Sequence, residues 1–321
     1  MDTETNAMGR NPAAVFLGSM SPGTQCTYEC DLKAIAYLLG SLDPFTYNWA
    51  ALRFQDTHAI RKVLVENVGE RTGVVLAPVT INRILCALRG VLKTAWRMEQ
   101  MSAEDYYRAV DIENVKGETL PAGRQLDGDE ITNLMEVCAA KPTPAGIRDG
   151  AIVALMYSCG LRRSEVVNLD LIDYDPSTDK LTVSGKRNKE RTAYLVNGAK
   201  QAMDDWLTIR GNQAGPLFTP INKAGKLLYR RLNSQAIYNM LARRGKKAGM
   251  SHYSPHDLRH TFVSHLLDAG VDISTVAKLA GHKSVTTTAR YDRRPDEVQR
   301  KAVELIHVPY RGRNGKKETP A

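Results

Sequence analysis

The stretch that most constrains the fold covers the forty residues from Tyr253 to Asp292, because it combines helix start and stop signals with reactive side chains. Ser254 is a suitable N-cap, Pro255 suits the first helical position, and a capping box would place its carboxylate at Asp257. Glycine commonly ends a helix, and Gly270 stands where this one should end. The sequence therefore predicts a helix that begins at Pro255 and stops before Gly270.

Three polar residues of this helix are spaced to share one face. His256, Arg259 and His260 stand at positions i, i+3 and i+4, whereas apolar residues can pack behind them. A second short helix is predicted to end just before His282, and a third, rich in threonine, is predicted to carry Tyr291. The whole stretch would present imidazoles, a guanidinium and a phenol in one compact region.

These side chains suit an attack on a phosphodiester. A guanidinium clamps two non-bridging oxygens, imidazoles exchange protons near neutral pH, and a tyrosine oxygen can form a covalent phosphodiester that conserves the energy of the broken bond. A single arginine would supply too few donors for a pentacoordinate phosphate dianion. A second occurs in the segment GLRRSE, where Gly160 breaks an apolar helix, and the residues alone leave Arg162 and Arg163 open as this second clamp.

Four segments, in order, resemble the boxes of the tyrosine recombinase family, which includes the phage-type integrases and the Xer-like resolvases. GLRRSE is similar to the first arginine box, HDLRH to the His-x-x-Arg-His box, and AGHKSVTTTARYDRR to the Gly-His and nucleophile box. VSGKRNKER lies between two short β-type runs, where the family places a catalytic lysine at a hairpin tip. The resemblance covers roughly residues 20 to 310, and four boxes are far more specific than a single motif.

The resemblance implies a role for each reactive residue. Tyr291 would be the nucleophile and would leave a 3′-phosphotyrosine link and a free 5′-hydroxyl. Arg162 and Arg259 would clamp the non-bridging oxygens as pre-organised donors. A phenol of pKa ~10 needs help to ionise, so His256 would be its general base or hydrogen-bond partner. His282 would hydrogen-bond a non-bridging oxygen or steady Tyr291.

The same boxes imply supporting residues. The resemblance places Lys186 at the hairpin tip, where it would protonate the departing 5′-oxygen, whereas the residues alone leave Lys189 open for this role. Glu165 looks like the family's supporting acid, which would orient the first arginine or His256 from behind. His260 would brace the same cluster.

We expect no metal and no other cofactor. Arg259 lies between His256 and His260 and would repel a cation, and no carboxylate occupies the position that a zinc hydrolase needs. The covalent phosphotyrosine link also removes any need for nucleotide energy. Activity should therefore persist in the presence of a chelator.

The hydrophobic pattern predicts a mostly α fold with a small antiparallel β-sheet, and the resemblance implies a C-shaped clamp on DNA. We expect a flexible segment at 1–18, an all-helical domain at 19–116, a linker at 117–126, an α+β domain at 127–310 with a C-terminal helix at 296–306, and a basic tail at 311–321. The resemblance implies that the first domain is the family's SAM-like core-binding domain and the second its catalytic domain. In the first domain helices are predicted near 21–40, 46–54, 56–68 and 78–98, and in the second, strands at 180–184 and 192–196.

Basic residues are expected to contact DNA. The net charge of +9 and the pI near 9.3 favour a polyanionic partner without proving one. Any single cation of the helix at 78–98 could belong to a solvated face, but as a stripe these residues favour phosphate contact. The candidate DNA contacts are Arg83, Arg89, Lys93, Arg97, Arg187, Lys189, Arg191, Lys223, Arg230 and Arg231.

Other features restrict the cellular setting. The five cysteines are odd in number and scattered, which favours buried thiols in a reducing compartment over disulfides. No apolar run approaches the ~18 residues of a membrane span, and no signal peptide is evident. We expect a cytoplasmic protein that has no membrane partner and associates with the nucleoid when it is bound to DNA.

The expected function is site-specific recombination of double-stranded DNA through a Holliday junction. The resemblance implies a homotetramer in which the C-terminal helix docks into a neighbour, with accessory DNA-bending or directionality proteins as further candidate partners. Asp292-Arg293-Arg294 follow the nucleophile in place of the Thr-His common in Xer proteins, which favours integration or excision of a mobile element. The alternatives are Xer-like dimer resolution, a catalytically idle DNA-binding relative and a type IB topoisomerase.

Overall fold

The computed structural model describes residues 11–66, 76–117, 123–185 and 190–292, together with residues 300, 303–306 and 308. The chain divides into two compact units, Met1–Leu120 and Pro121–Ala321, each with its own hydrophobic core. The boundary falls within the segment 117–126 that the composition suggested as a linker.

The first unit is helical in the residues described. Its helices are α1 (Pro12–Gly18), α2 (Pro22–Leu38), α3 (Phe54–Glu66), α4 (Pro78–Arg97) and α5 (Ala103–Val110). Helix α4 is the central element, because its apolar side chains recur at helical spacing and it packs against the other four helices. The residues that it buries are Ile81, Ile84, Leu85, Ala87, Leu88, Val91, Leu92 and Ala95.

The prediction of a flexible segment at 1–18 was wrong for its last seven residues, which form helix α1. The side chain of Asn11 caps this helix by accepting hydrogen bonds from the backbone N–H groups of residues 13 and 14. Ala13 and Leu17 are buried in the core of the unit. Phe16 lies so close to Gly90 of helix α4 that a Cβ there would come within 2.2 Å of the ring. So short a helix carries too little periodicity to be recognised in the sequence.

The predicted helix at 46–54 was also wrong. Only Trp49–Ala51 forms a 3-10 turn, and the indole N–H of Trp49 donates to the carbonyl of Pro44 at 2.7 Å. The backbone N–H of Arg53 donates to the Asp56 carboxylate at 2.8 Å, which supports the start of helix α3 instead. The burial of the Trp49 side chain in the core thus outweighs the local preference of residues 46–54 for a helix.

The second unit combines helices with a small sheet. In order, its elements are α6 (Gly128–Ala139), α7 (Pro144–Ser158), α8 (Arg163–Asn168), β1 (Tyr174–Asp175), β2 (Lys180–Ser184), β3 (Glu190–Tyr194), α9 (Gly198–Arg210), α10 (Ser234–Lys247), α11 (Pro255–Asp268), α12 (Ile273–Ala280) and α13 (Val285–Ala289). A 3-10 turn, Leu171–Asp173, precedes the sheet. Helix α7 is apolar on almost every side and lies at the centre of the core, where it packs against α6, α8, α9 and α11.

The sheet is a three-stranded antiparallel meander in the order β1-β2-β3. In the β2–β3 hairpin, Lys180 pairs with Tyr194 and Ser184 pairs with Glu190. Strand β2 has the predicted bounds, whereas β3 begins two residues before the predicted 192. The predicted fold class, mostly helical with a small antiparallel sheet, is confirmed.

Two further properties concern the described residues alone. No helix among them is long and apolar enough to cross a membrane, and no group of three or more His, Cys, Asp or Glu residues could hold a metal ion. All five cysteines are free thiols, but only Cys138 and Cys159 are buried; Cys26, Cys30 and Cys86 are exposed, so the expectation of buried thiols was wrong for these three.

Candidate active site

Helix α11 begins as the sequence predicts. Ser254 and Asp257 form a complete capping box, and the second carboxylate oxygen of Asp257 accepts a hydrogen bond from the backbone N–H of Arg124 at 2.9 Å. The start of the helix is therefore held from two directions. This fixes the rotation of the helix about its axis, and with it the direction of its polar face.

Arg259 on this face is only 2% exposed. Its Nη1 donates to the carbonyl of Gly160 at 2.6 Å, and its Nη2 donates to the carbonyl of Ala280. Even so, Arg259 lines a cavity of about 430 Å³ together with Arg162 and His256. Two guanidinium groups that are far apart in the sequence are thus brought to one cavity. Burial, together with the positive charge of Arg162, lowers the pKa of Arg259 to about 9, and the group is still charged at neutral pH.

Arg162 stands at the N-cap of helix α8, where it is held by an acid of the same helix. Its backbone N–H donates to Glu165 Oε2 at 2.9 Å, and its Nη1 donates to Oε1 at 2.7 Å. Burial opposes ionisation of Glu165, but the bond from the Arg162 backbone and the charges of Arg191 and Arg162 hold the pKa of this carboxyl below its ordinary value. The Arg162 side chain is 44% exposed, so it is oriented and can still contact a ligand.

Tyr291 contacts His256, one of the residues that line the cavity of about 430 Å³. Its Oη is 3.2 Å from His256 Nε2, its ring meets the His260 ring edge to face with centroids 4.8 Å apart, and it stacks on His282 at 5.9 Å. The residue is 8% exposed. Helix α13 ends at Ala289, two residues before the tyrosine, so the prediction that this helix carries Tyr291 was wrong. The phenol instead follows the helix and is surrounded by imidazoles.

Both imidazoles that could exchange protons at this site favour the neutral form. Desolvation, followed by the charge of Arg259, lowers the pKa of His256 below its ordinary value. Burial and the charges of Arg259 and Arg162 lower the pKa of His282 to about 4. Near neutral pH, both rings can therefore accept a hydrogen bond or a proton at one nitrogen and donate at the other.

The ring of His282 is oriented by a glycine before it and a threonine after it. Gly281 adopts the left-handed conformation with φ of 64° and ends helix α12, so the chain turns sharply before His282. Thr288 on helix α13 is fully buried, and its Oγ1 is 2.8 Å from His282 Nδ1. If the hydroxyl donates to Nδ1, then Nε2 carries the proton and is available to an acceptor such as a phosphate oxygen. No pattern in the sequence pointed to Thr288.

Comparison with known proteins identifies the family. The phage integrase family model matches residues 124–297, which is more than half of the chain. The chain belongs to the tyrosine recombinases of the phage integrase family. The predicted resemblance is therefore confirmed.

Relatives of the recombinase match most of its length. The tyrosine recombinase XerC of Alcanivorax borkumensis is 33% identical over 279 residues, which cover 85% of this chain and 83% of the relative. XerC of Chromohalobacter salexigens is 33% identical over 283 residues, covering 86% and 87% of the two chains. This similarity extends over both units.

Solved structures agree with the recombinase at the level of the fold. The Tn1549 transposon integrase in complex with transposon right end DNA is 18% identical, with a TM-score of 0.67 over 90% of this chain and 95% of that chain. A lambda integrase dimer bound to a core site is 15% identical, with a TM-score of 0.62 over 89% and 97% of the two chains. At such low identity, these similarities establish the fold alone.

One predicted DNA contact of the recombinase, Arg191, turns away from the surface. Its side chain is only 12% exposed, and its Nη2 lies 3.0 Å from Glu165 Oε2. Its Nη1 donates to the carbonyl of Leu279 at 2.9 Å. This placement does not fit a surface contact with DNA. A basic residue next to a hairpin tip is usually solvated, which is why Arg191 was predicted to contact DNA. Strand β3 instead packs against helix α12, and this contact buries the side chain.

Other predicted DNA contacts differ in how strongly they are held by the protein. Arg83 forms a two-pronged ion pair with Asp31 at 2.8 and 2.9 Å, and Arg231 donates to Val167 O at 2.8 Å and to Asp170 at 2.6 Å. Arg89 donates to the carbonyl of Ile112 and to Asn114. Six candidates are exposed: Arg83, Lys93, Arg97, Lys223, Arg230 and Arg231. Lys186, Arg187 and Lys189 lie outside the described residues.

Proposed function

We propose that this recombinase cleaves and rejoins DNA strands through a covalent 3′-phosphotyrosine link to Tyr291. The observation that carries the proposal is the 3.2 Å contact between the phenol oxygen and His256, beside a cavity lined by Arg162 and Arg259. A nucleophile, its base and two cations for the phosphate thus share one small region. Site-specific recombination is the reaction that this set of groups and the family membership support best.

In the first step, the phenol of Tyr291 gives its proton to the neutral Nε2 of His256, and its oxygen attacks the phosphorus. The bond from phosphorus to the 5′-oxygen breaks, and the tyrosine keeps the 3′-phosphate. The 5′-oxygen takes up a proton and leaves as a hydroxyl. Because the new phosphodiester conserves the bond energy, the 5′-hydroxyl of another strand can reverse the step and complete the exchange through a Holliday junction.

The two guanidinium groups stabilise the charge that develops on the non-bridging oxygens. Arg259 is pre-organised by its carbonyl contacts, and Arg162 by the Glu165 carboxylate, so little reorganisation is needed when DNA binds. His282 Nε2 adds a neutral donor to the same oxygens. Glu165 and His260 act as supports, because one bonds Arg162 and the other packs against the nucleophile ring.

Lys186 is our candidate for protonating the departing 5′-oxygen. The residue lies outside the described part of the chain, but the preceding Gly185 lines a cavity of about 920 Å³ together with Arg162 and His282. The place of Gly185 in the lining of this cavity supports the next residue, Lys186, as the candidate. Replacement of Lys186 by alanine should slow cleavage of an ordinary 5′-oxygen much more than cleavage of a 5′-bridging thiolate, which leaves without a proton. Lys189→Ala is the control for the competing assignment.

Covalent capture tests the proposal directly. A nicked DNA substrate lets the short 5′-hydroxyl fragment diffuse away, so the protein–DNA link accumulates and is visible on a denaturing gel. We expect wild-type protein to form this adduct and Tyr291→Phe to form none while it still binds DNA. An adduct in Tyr291→Phe would show that another residue is the nucleophile. Absence of an adduct in folded, DNA-bound wild type would favour an idle DNA-binding relative.

The biological use has two candidates. The residues after the nucleophile favoured integration or excision of a mobile element, whereas the relatives named XerC support a recombination system of the Xer type. Mapping the covalent adducts along the host DNA separates the two. Adducts at the ends of an element that contains this gene support mobility, and adducts at one distant chromosomal or plasmid site support dimer resolution. Strand exchange between two sites, rather than relaxation of supercoils alone, excludes the topoisomerase.

We further propose assembly as a homotetramer on two DNA sites, with the segment after Tyr291 docked on a neighbour. Of the predicted helix at 296–306, the structure describes residues 300 and 303–306, and these are exposed. Val303, Leu305 and Ile306 are 65–87% exposed, which leaves apolar surface for a partner. Truncation after residue 295 should preserve binding of one protomer to a half-site and abolish cooperative binding to a full site. Unchanged cooperativity would refute the docking.

A further inference from the structure

The end of helix α12 carries a feature that none of the proposed catalytic roles explains. Its last carbonyl groups each accept a hydrogen bond from a different arginine: Leu279 O from Arg191, Ala280 O from Arg259 and Gly281 O from Arg162, at 3.4 Å in the last case. The last carbonyls of a helix lack partners within the helix and carry the negative end of its dipole. Three guanidinium groups therefore share one helix end, immediately before His282.

Arg191 joins three parts of the site through one side chain. It extends from strand β3, donates to Leu279 O at 2.9 Å, and forms an ion pair with Glu165 Oε2 at 3.0 Å. The other oxygen of Glu165 holds the Arg162 guanidinium at 2.7 Å. The carboxylate thus contacts two arginines, of which Arg162 is 44% exposed and Arg191 only 12%, and both line the cavity of about 920 Å³.

Gly281 shows how closely Arg191 is built into this junction. A Cβ at Gly281 would lie 2.9 Å from both Cδ and Nε of Arg191, so the glycine leaves the space that the arginine stem fills. By contrast, Gly270 ends helix α11 with a similar positive φ of 82° and has nothing within 4 Å of the same position. The glycine before His282 is therefore needed for packing against Arg191 as well as for its backbone conformation.

We propose that Arg191 is a positioning residue of the active site, which holds the Glu165 carboxylate and the end of helix α12 in one fixed geometry. Through these contacts it sets where Arg162 and His282 meet the scissile phosphate. Without Arg191, Glu165 Oε2 would keep only the backbone N–H of Arg162 and could turn towards its guanidinium, which would draw that group off the phosphate. The turn that precedes His282 would also lose one of its supports. The inference rests on the proposed function, because it assigns the geometry of that same site.

The decisive comparison is Arg191→Lys against Arg244→Lys. Arg244 is a matched control, because it is 13% exposed, binds the buried Asp149 carboxylate at 2.8 Å, and donates to the carbonyl of Val137 at 3.1 Å. Both substitutions keep the charge and replace a two-pronged donor by a single ammonium. Neither Arg244 nor its partners line the cavities that contain Arg162. Both variants therefore remove the same kind of ion pair and carbonyl hydrogen bond, and they differ in whether that arginine touches the active site.

The measurement is the single-turnover rate of covalent adduct formation at saturating DNA, with DNA affinity and unfolding temperature measured in parallel. We expect both variants to unfold at a lower temperature and to bind DNA with wild-type affinity. Only Arg191→Lys should form the adduct more slowly, by on the order of 10²-fold, as is typical when a reacting group is displaced by about 1 Å. If Arg191→Lys loses stability but forms the adduct at the wild-type rate, then Arg191 stabilises the fold and does not position the active site.

A second pair keeps the inference testable if Arg191→Lys does not fold. Gly281→Ala displaces the Arg191 side chain in addition to straining the backbone, whereas Gly270→Ala introduces the backbone strain alone. Slower adduct formation should appear in Gly281→Ala and be absent from Gly270→Ala; equal rates would contradict the inference. Tyr291→Phe in the same assay separates the two hypotheses, because an adduct in that variant refutes the proposed site, whatever Arg191 does.

Discussion

Replacement of Arg259 by lysine is the sharpest test of the phosphate clamp. Arg259 uses separate Nη atoms for the carbonyls of Gly160 and Ala280 while its side chain lines the reaction cavity. One ammonium cannot serve both carbonyls and also contact two phosphate oxygens, even though the positive charge is kept. Loss of one pre-organised donor typically slows a reaction by ~10²–10³-fold, or about 3–4 kcal/mol of transition-state stabilisation. We expect a decrease of that size in the rate of covalent capture.

The loss of stability should be smaller than the loss of activity. If lysine satisfies one of the two carbonyls, the other remains buried without a donor, at a cost of ~1–3 kcal/mol. The free energy of unfolding of a domain is typically about 5–15 kcal/mol, so the variant should stay folded at ordinary temperatures. A decrease in the capture rate can then be assigned to chemistry rather than to unfolding.

Arg210→Lys is the matched control. Arg210 is fully buried and donates to four carbonyls, those of Gly211, Gln213, Gly215 and Pro216, at a distance from the proposed site along the chain. It should lose at least as much stability as Arg259→Lys and capture DNA at the wild-type rate. The assay is single-turnover capture on nicked DNA, below the unfolding transitions of both variants. The clamp is refuted if Arg259→Lys retains near wild-type capture, or if both variants slow equally.

Three further predictions concern the groups around Tyr291. His256 must be neutral to accept the phenolic proton, and its pKa is lowered. The rate of covalent capture should therefore stay constant down to pH ~6.5 and decrease only at more acidic pH. The His256→Gln variant should be slow at every pH. The folded protein keeps His282 neutral down to a pKa of about 4, so the unfolded chain binds the proton first. Urea titrations should therefore show the free energy of unfolding decreasing from pH 6.5 towards 4 by at most about 3 kcal/mol, and His282→Gln should reduce this decrease; an equal decrease would contradict the assignment. Thr288→Val removes the partner of His282 Nδ1 and should slow capture about 10-fold. Thr219→Val is its control, because the Thr219 hydroxyl is buried and has no hydrogen-bond partner among the described residues; equal rates in the two variants would refute a role for Thr288.

Features determined by neighbouring residues in the chain were predicted well. The capping box of Ser254 and Asp257 starts helix α11 as the residue types require, and Gly281 ends helix α12 in the left-handed conformation. Strand β2 has the bounds indicated by its alternating pattern. Each of these signals acts over a few residues, where the physical preference of the residue type decides the local structure.

Features determined by distant contacts were not predictable in the same way. The sequence identified Arg191 as basic, but its burial depends on Glu165 and Leu279, which lie on other elements. The role of Thr288 could not be predicted, because threonine is common in short helices and its partner His282 lies across a turn. Helix α1 was missed because its stability comes from packing against α2 and α4, more than from its own pattern.

The cluster of like charges also explains why so much of the site is tied to backbone carbonyls. Arg162, Arg191 and Arg259 lie close together, the Glu165 carboxylate pairs with the first two, and mutual repulsion would disperse the three if they were free. The carbonyls at the end of helix α12 supply negative potential that cannot be neutralised by a proton or displaced by DNA. Because these dipoles compensate only part of the charge, the site retains an excess of positive charge that favours a phosphate. A set of carboxylates could hold the same arginines, but it would cancel the charge that the reaction needs.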